Sequence, residues 1–459
     1  MTFGRRAWLA VIVIAVFLGE SIGAARGSTG SFIRADDRAA LRSLLPSGTG
    51  AVIVLGYLAP DGTRSYDVIT PPSGTASGIG PHSLFEVGSI TKTFTAIALA
   101  HMVRAGAIAL SSPIQTYLPA GVRAPTFDGE QITVQDLADH HSGLPRMPPG
   151  LVFARPGALA DYTSAQSYAA LAAYKLTRAP GSQYEYSNWG VGLLGQLLAT
   201  RAGTSYAHLV ERAIIDPLRL RDTSVPAPNA TAGDIVAGYD ADGNPQPYMT
   251  WNGSLAGAGA IRSSVSDLLT LGSACLPGAG TPISGDCAFA IEPRADAGKQ
   301  KARVGLVWET QDQDKLVWHN GDTLGYHGFL GIDPVHHTVL AMLSNVSVFM
   351  DYTALHVLDP SFPVPRTPPP LVLPAAKLAA YEGRYRLADG SHSAIIVEED
   401  AQGLRMRDGR GQHFALTAIA PDTFRTRENE TLTFCTRADG SVYAVVTDQY
   451  GKIDVATRS

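Results

Sequence analysis

At 459 residues the chain is long enough for two or more domains, each with its own core. A net charge of -5, with only 17% charged residues and no basic block, excludes a nucleic-acid binder built on a cationic surface. Three cysteines are too few to hold the fold together.

At the N-terminus, Arg5 and Arg6 precede an apolar run from Ala7 to Leu18 and small residues around Gly23 to Gly27. That layout predicts a secretory signal peptide over residues 1–27. A retained anchor is the alternative, but the run is shorter than the ~20 residues a bilayer requires. The mature protein is therefore expected to be periplasmic or secreted, with no stable membrane span. Gly19-Glu20-Ser21-Ile22-Gly23 matches a Gly-x-Ser-x-Gly nucleophile elbow, yet it sits in this leader without the strand–turn–helix the elbow needs. Next, Ala51 to Leu58 is an apolar β-prone run, Pro60-Asp61-Gly62 supplies turn chemistry, and Arg64 to Ile69 returns as a second strand.

The run Phe85-Glu86-Val87-Gly88-Ser89-Ile90-Thr91-Lys92 then leads into a predicted helix with apolar positions Phe94, Ile97, Ala98, Met102 and Val103, and with Gly106 as its C-terminal cap. Three residues apart on a helix, Ser89 and Lys92 share one face. A lysine ammonium beside a serine hydroxyl at a helix N-terminus favours loss of the serine proton and stabilises the oxyanion that follows attack. Ser-x-x-Lys alone is far more often the start of a solvated helix; Phe85-Glu86-Val87-Gly88 before it and the long apolar helix behind it are what make Ser89 a candidate nucleophile.

Helical periodicity recurs at Val191 to Ala202 and Val265 to Leu271. Tyr186-Ser187-Asn188 falls on the loop entering the first of these. A free phenol of pKa ~10 is a poor base at neutral pH, but a neighbouring lysine ammonium is expected to lower it and let Tyr186 take a proton from Ser89. Asn188 offers a donor and an acceptor to a substrate amide. Cys275 and Cys287 flank a Gly- and Pro-rich stretch; they either close a local loop or stand, with the distant Cys435, as buried thiols. Beyond Arg303, β-like runs resume at Val304 to Glu309, Lys315 to His319, Gly328 to Asp333 and Thr338 to Ser344. His319-Asn320-Gly321 ends one of them. Gly321 would admit close approach of a substrate, and the N–H of Asp322 with that of Ser89 would form an oxyanion hole, worth typically ~3 kcal/mol per donor.

Strands first, helices in the middle and strands last predict an α+β domain over residues 28–359: one antiparallel sheet built from both ends, with a helical lobe inserted. Prolines at 360, 363, 365, 368–370 and 374 make residues 360–374 a stiff linker. Over 375–459, short alternating runs such as Ala394 to Val397, Leu404 to Arg407, Phe414 to Ile419 and Val442 to Thr447 predict a small up-and-down β-barrel or sandwich. No His-Glu-x-x-His or Cys-x-x-Cys pair occurs, and the side chains of the doublets His140-His141 and His336-His337 would diverge, so neither metal nor organic cofactor is expected.

Taken in order, these runs resemble the class C β-lactamase and low-molecular-weight penicillin-binding protein family of active-site serine hydrolases. Leu137-Ala138-Asp139-His140-His141-Ser142-Gly143-Leu144-Pro145 is similar to the family's Leu-x-x-His-x-Ser-Gly-Leu-Pro, and Ala258-Gly259-Ala260-Ile261-Arg262-Ser263 with Asp267-Leu268 to its Gly-Gly-Leu-x-Ser segment. The class A runs Ser-Asp-Asn and Glu-x-x-Leu-Asn are absent, as the tyrosine-based variant requires. The resemblance implies a β-lactamase/transpeptidase-like fold, Ser89 as the acylated nucleophile, Lys92 and Tyr186 sharing proton transfer, and Asn188 on the substrate's acyl amide. It also implies β-lactam or D-Ala-D-Ala-type peptide substrates, and a lipocalin-like tail. By the resemblance His319, Asn320 and Gly321 are substrate-binding, but the chain departs where they replace the Lys-Thr-Gly of class C β-lactamases: a fixed ammonium for the substrate carboxylate is lost, and Asn320 in place of threonine removes one hydroxyl from that carboxylate site. Similar His-x-Gly triads occur in soluble D-Ala-D-Ala carboxypeptidases and D-aminopeptidases of the family, which favours peptide or ester chemistry over vigorous β-lactam hydrolysis. An esterase on the same fold, and a sensor that acylates and deacylates slowly, are the competing readings.

Overall fold

The fold is described from a computed structural model over residues 32–151, 158–226, 235–249, 251, 253–298, 302–311, 315–364, 370–387, 394–400, 403–407, 413–426, 430–437, 439–447 and 453–459. The leader expected over residues 1–27 lies outside them.

The predicted opening hairpin is present as β1 (Ile53–Leu58) and β2 (Arg64–Ile69), closed by the Ala59–Thr63 turn with Gly62 at φ +83°. Within the helical lobe, short ladders pair β3 (Phe85–Glu86) with β8 (Arg262–Ser263), β4 (Thr126–Phe127) with β5 (Glu130–Gln131), and β6 (Gly238–Tyr239) with β7 (Pro245–Gln246). The chain then returns through β9 (Ala295–Asp296), β10 (Arg303–Val304), β11 (Glu309–Gln311), β12 (Leu316–Asp322), β13 (His327–Asp333) and β14 (Thr338–Ser344). Its eight-stranded antiparallel sheet runs β2-β1-β14-β13-β12-β11-β10-β9. Both ends of the domain thus build one sheet, and β1 joins β14 through the register Ile53↔Ser344 to Leu58↔Val339.

Because both faces of this sheet are covered, its central strands read as continuous apolar runs. Val54, Val317, Leu330, Ile332, Ala341 and Leu343 point into the helical lobe. Their alternates Ile53, Leu55, Trp318, Phe329, Leu340 and Met342 pack under the helices Ala35–Ser43 and Asp351–Leu358. One run departs from its reading as a strand. Val304 to Glu309 is a hairpin, with β10 and β11 flanking a turn in which Gly305 donates to Trp308 O (2.8 Å) and Val307 takes φ +57°. The turn stays buried because Leu306 N–H reaches Ala290 O (2.8 Å) and Val307 N–H reaches Ala138 O (2.7 Å), so the helical lobe satisfies its donors.

A disulfide joins Cys275 at the end of the helix Val265–Ala274 to Cys287 in the helix Ser284–Ile291, leaving Cys435 as a free thiol. Toward the C-terminus, β15 (Gly383–Leu387), β16 (Ala394–Asp400), β17 (Gly403–Arg407), β18 (His413–Ala415), β19 (Thr417–Ala420), β20 (Thr423–Arg425), β21 (Thr431–Thr436), β22 (Val442–Thr447) and β23 (Ile453–Arg458) form a nine-stranded sheet. Its two edges, β18 and β19, are separated in sequence only by Leu416, and β15 pairs with both β16 and β23, so the sheet closes almost completely into an up-and-down barrel. Tyr385, Phe424, Phe434 and Leu432 fill its interior. Among the described residues no helix is long and apolar enough to cross a membrane, and no cluster of three or more His, Cys, Asp or Glu side chains is arranged to hold a metal ion.

Candidate active site

Ser89 stands on the turn Gly88–Ile90 that opens the helix Thr91–Arg104. This helix is buried nearly all round, since it runs through the centre of the lobe, and Gly106 closes it at φ +69°. The Thr91 hydroxyl accepts from Ile261 N–H (3.0 Å), which ties the helix start to the segment carrying Ala258. Lys92 Nζ lies 2.7 Å from Ser89 Oγ and 2.8 Å from Ala258 O, fully shielded from solvent. Burial, reinforced by the Arg146 cation, holds its pKa well below the ordinary lysine range.

The phenol of Tyr186 is hydrogen-bonded to the Ser89 side chain, and its ring centroid is 4.9 Å from Lys92 Nζ. Here one expectation is corrected. Burial pushes the phenol up to about 12, against the opposing pull of Arg146 and the bond to Ser89. A lysine ammonium was to have lowered it, but the packing that surrounds Lys92 disfavours that ammonium in the first place. The arrangement is a neutral phenol and an amine biased toward its free-base form, both on one hydroxyl.

Beyond Trp318, β12 has left its ladder with β11, and the segment Gly321–Asp322 lies against Gly88–Ser89. The approach is so close that a Cβ on Gly321 would overlap Val87 O and fall 2.8 Å from Ser89 N, and one on Gly88 would fall 2.7 Å from Asp322 N. Only glycines permit it. The backbone nitrogens of Ser89 and Asp322, the expected oxyanion donors, are thereby brought to one place.

Strand alternation separates the other two members of the triad. His319 faces the site, its ring 6.3 Å from that of Tyr186 and its Nδ1–H donated to Asn320 O at 2.5 Å. Asn320 points to the opposite face, where its amide donates to Asp351 Oδ2 (2.6 Å). Its expected contact with substrate is revised accordingly: the side chain anchors the strand from behind. Asp351 also takes His327 Nε2 at 2.7 Å, while Asp322 accepts from Ser347 Oγ (2.8 Å). Burial alone would lower the His327 pKa; the carboxylates of Asp351 and Asp322 override it and push it up to about 10. A buried imidazolium therefore braces the strand that carries Asp322. Upstream of Ser89, Glu86 accepts from Met249 N–H (2.5 Å), and burial raises its pKa to about 7 against hydrogen bonds from Thr323 and Met249 and the charge of Arg262.

Asn188 begins the helix Asn188–Arg201, capped by the Ser187 hydroxyl on Gly190 N–H (2.8 Å). Its amide donates to Met147 Sδ (3.4 Å), and its buried Oδ1 has no hydrogen-bond partner among the described residues. Two residues absent from the expected set join the group. The guanidinium of Arg146 sits 5.1 Å from the Tyr186 ring centroid, and the His140 ring 4.5 Å. Both lie in or just after the Leu-x-x-His-x-Ser-Gly-Leu-Pro run, which marked a family in the sequence but named no chemistry.

A Beta-lactamase family model matches residues 58–357. The D-alanyl-D-alanine-carboxypeptidase/endopeptidase AmpH of Escherichia coli (strain K12) is 34% identical over 209 residues, 45% of this chain and 52% of that protein. A Beta-lactamase of Pseudomonas fluorescens is 33% identical over 192 residues, 42% of this chain and 50% of that one. The chain thus spans about half the length of these curated relatives. A class C beta lactamase structure from Rhodobacter sphaeroides superposes with a TM-score of 0.58 at 24% identity, over 70% of this chain and 98% of that one, a likeness of fold alone.

Proposed function

The chain belongs to the Beta-lactamase family, and from that premise we propose that it is an exported serine hydrolase, active in the periplasm or outside the cell. It works through an acyl-enzyme on D-Ala-D-Ala-type peptides and β-lactams. The observation that carries this reading is the Ser89 hydroxyl held between Lys92 Nζ at 2.7 Å and the Tyr186 phenol.

In the proposed course, Ser89 Oγ attacks the substrate carbonyl as its proton passes to the Lys92 amine, while the N–H groups of Ser89 and Asp322 take the developing oxyanion. As the tetrahedral adduct collapses, the Tyr186 phenol gives its proton to the leaving group and is restored from the Lys92 ammonium. Water then attacks the ester by the same route in reverse. Asn188 and His319 flank the reacting carbonyl. With His319 in place of a lysine no permanent charge holds a substrate carboxylate, which supports peptide hydrolysis over rapid β-lactam turnover and keeps an esterase as the second reading.

The test is mass spectrometry of the mature protein after exposure to benzylpenicillin and to p-nitrophenyl acetate, with turnover of both and of a D-Ala-D-Ala peptide followed in parallel. A penicilloyl adduct on the Ser89 peptide, absent in Ser89→Ala, with peptide turnover, supports the proposal. Ester turnover without either would make the protein an esterase, and an adduct elsewhere would end the mechanism.

A further inference from the structure

We propose that His140 is the positioning residue of this site: it grips the backbone on both sides of Tyr186 and one face of its ring, and so fixes the phenol over Ser89. The inference rests on the reading of Tyr186 as the proton-transfer partner. His140 is 1% exposed, and three separate contacts run from it to the three residues centred on Tyr186. Its carbonyl accepts from Glu185 N–H at 2.8 Å. Its Nδ1 accepts from Ser187 N–H at 3.1 Å. Its ring lies 4.5 Å from the Tyr186 ring at an interplanar angle of 34°.

Those contacts require an unfavourable backbone. His140 takes φ +65°, a left-handed conformation uncommon for a residue with a Cβ, and strain of this kind gathers at functional sites where the surroundings hold it. Without that turn the carbonyl and the ring of one residue would not both face the same strip of chain. Only a histidine meets the remaining demands together, because it combines a flat face for the phenol with an in-plane acceptor for Ser187 N–H.

Accepting at Nδ1 assigns the ring proton to Nε2, which is buried with no hydrogen-bond partner among the described residues. A positively charged ring would turn a second donor against Ser187 N–H. Burial opposes that state, and so does the neighbouring Arg146 cation. Among the described residues His140 makes no hydrogen bond to Ser89, so its effect passes through Tyr186. Ser187 has a second anchor besides His140, since its Oγ donates to Pro145 O at 2.8 Å.

The test compares His140→Asn, His140→Leu and His140→Gln in the full-length chain, reading the acylation rate with a chromogenic cephalosporin and p-nitrophenyl acetate, and KM alongside. Asparagine keeps a side-chain acceptor near the Nδ1 position and tolerates the left-handed backbone; leucine keeps bulk alone; glutamine puts its acceptor one carbon too far. Acylation should fall ~100-fold in His140→Leu and His140→Gln, the scale of losing a general acid–base partner, and ~10-fold or less in His140→Asn, with KM unchanged. In a Tyr186→Phe background, His140→Leu should cause no further loss. Acylation within ~3-fold of wild type in His140→Leu, or equal losses in the asparagine and glutamine variants, overturns the inference; so does a loss that multiplies with Tyr186→Phe. A Tyr186→Phe variant that acylates at the wild-type rate overturns this inference and the proton-transfer role of Tyr186 together. If His140→Leu does not fold, the asparagine and glutamine pair decides alone.

Discussion

At the scale of single residues, the site is governed by where burial leaves its protons. On the proposed mechanism, a phenol raised to about 12 and a lysine lowered well below its ordinary range suit Lys92 to the base and Tyr186 to the neutral relay. The pH dependence follows in sign. The amine is competent only above the depressed Lys92 pKa, so kcat/KM should rise as pH climbs through it, hold level, and fall only as Tyr186 ionises near 12. Tyr186→Phe should lower the plateau ~100-fold and keep the acid limb, whereas Lys92→Ala should lose both. A rate that climbs steadily toward the phenol pKa would instead mean a phenolate base. His319 is the second residue-scale lever. His319→Lys should raise kcat/KM for carboxylated β-lactams ~10-fold relative to a neutral ester, by supplying a permanent charge where the ring now faces Tyr186. An equal change for both substrates would make His319 structural.

Among the elements, β12 brings His319, Gly321 and Asp322 of the proposed site together. It leaves its partner after Trp318 and runs against the nucleophile's turn, an approach that depends on Gly321. Gly321→Ala should cost at least ~100-fold in acylation, as loss of an oxyanion-hole donor does, while KM changes little; a rate within a few-fold of wild type would place the oxyanion elsewhere. The same strand is braced from behind by His327, whose raised pKa makes its contribution pH-dependent. Since the folded value is about 10 against ~6.5 unfolded, the stabilisation is complete below ~6.5 and is lost as pH rises toward and through 10. Lys92 acts oppositely, because its depressed pKa makes folding more favourable as pH rises toward the unfolded value. The useful readout is therefore a difference. Denaturant melts should show the stability gap between wild type and His327→Gln shrinking from pH 6.5 to pH 10, and a constant gap would contradict the imidazolium.

Across the whole molecule, the hydrophobic clusters on the two faces of the eight-stranded sheet are distinct from the aromatic cluster inside the barrel. Barrel and catalytic domain also meet through an ion pair of Arg405 with Asp242 at 2.6 Å, on the hairpin that joins β6 to β7. Phe424, fully buried in the barrel, should report the independence of the cores. Phe424→Ala is expected to destabilise the barrel by ~3–5 kcal/mol. Acylation of Ser89 at 25 °C should be unchanged. A parallel loss of acylation would show that the barrel supports the site.

The sequence determined what local geometry can carry. Turn chemistry and paired apolar runs placed the β1–β2 hairpin, i, i+3 spacing put Ser89 and Lys92 on one helical face, and strands at both ends of a helical stretch implied one sheet. Other features depend on atoms far apart in the chain, and only the tertiary structure decided them. Which side of β12 faces Tyr186 was fixed by the sheet's two cores, which turned His319 inward and Asn320 onto Asp351. The proton balance of Lys92 and Tyr186 was reversed because desolvation by the surrounding lobe outweighs any pairwise attraction. His140 and Arg146 became visible only when the run that carries them, 46 and 40 residues upstream, folded back onto Tyr186, for a side chain's neighbours across space leave no periodic trace in its own segment.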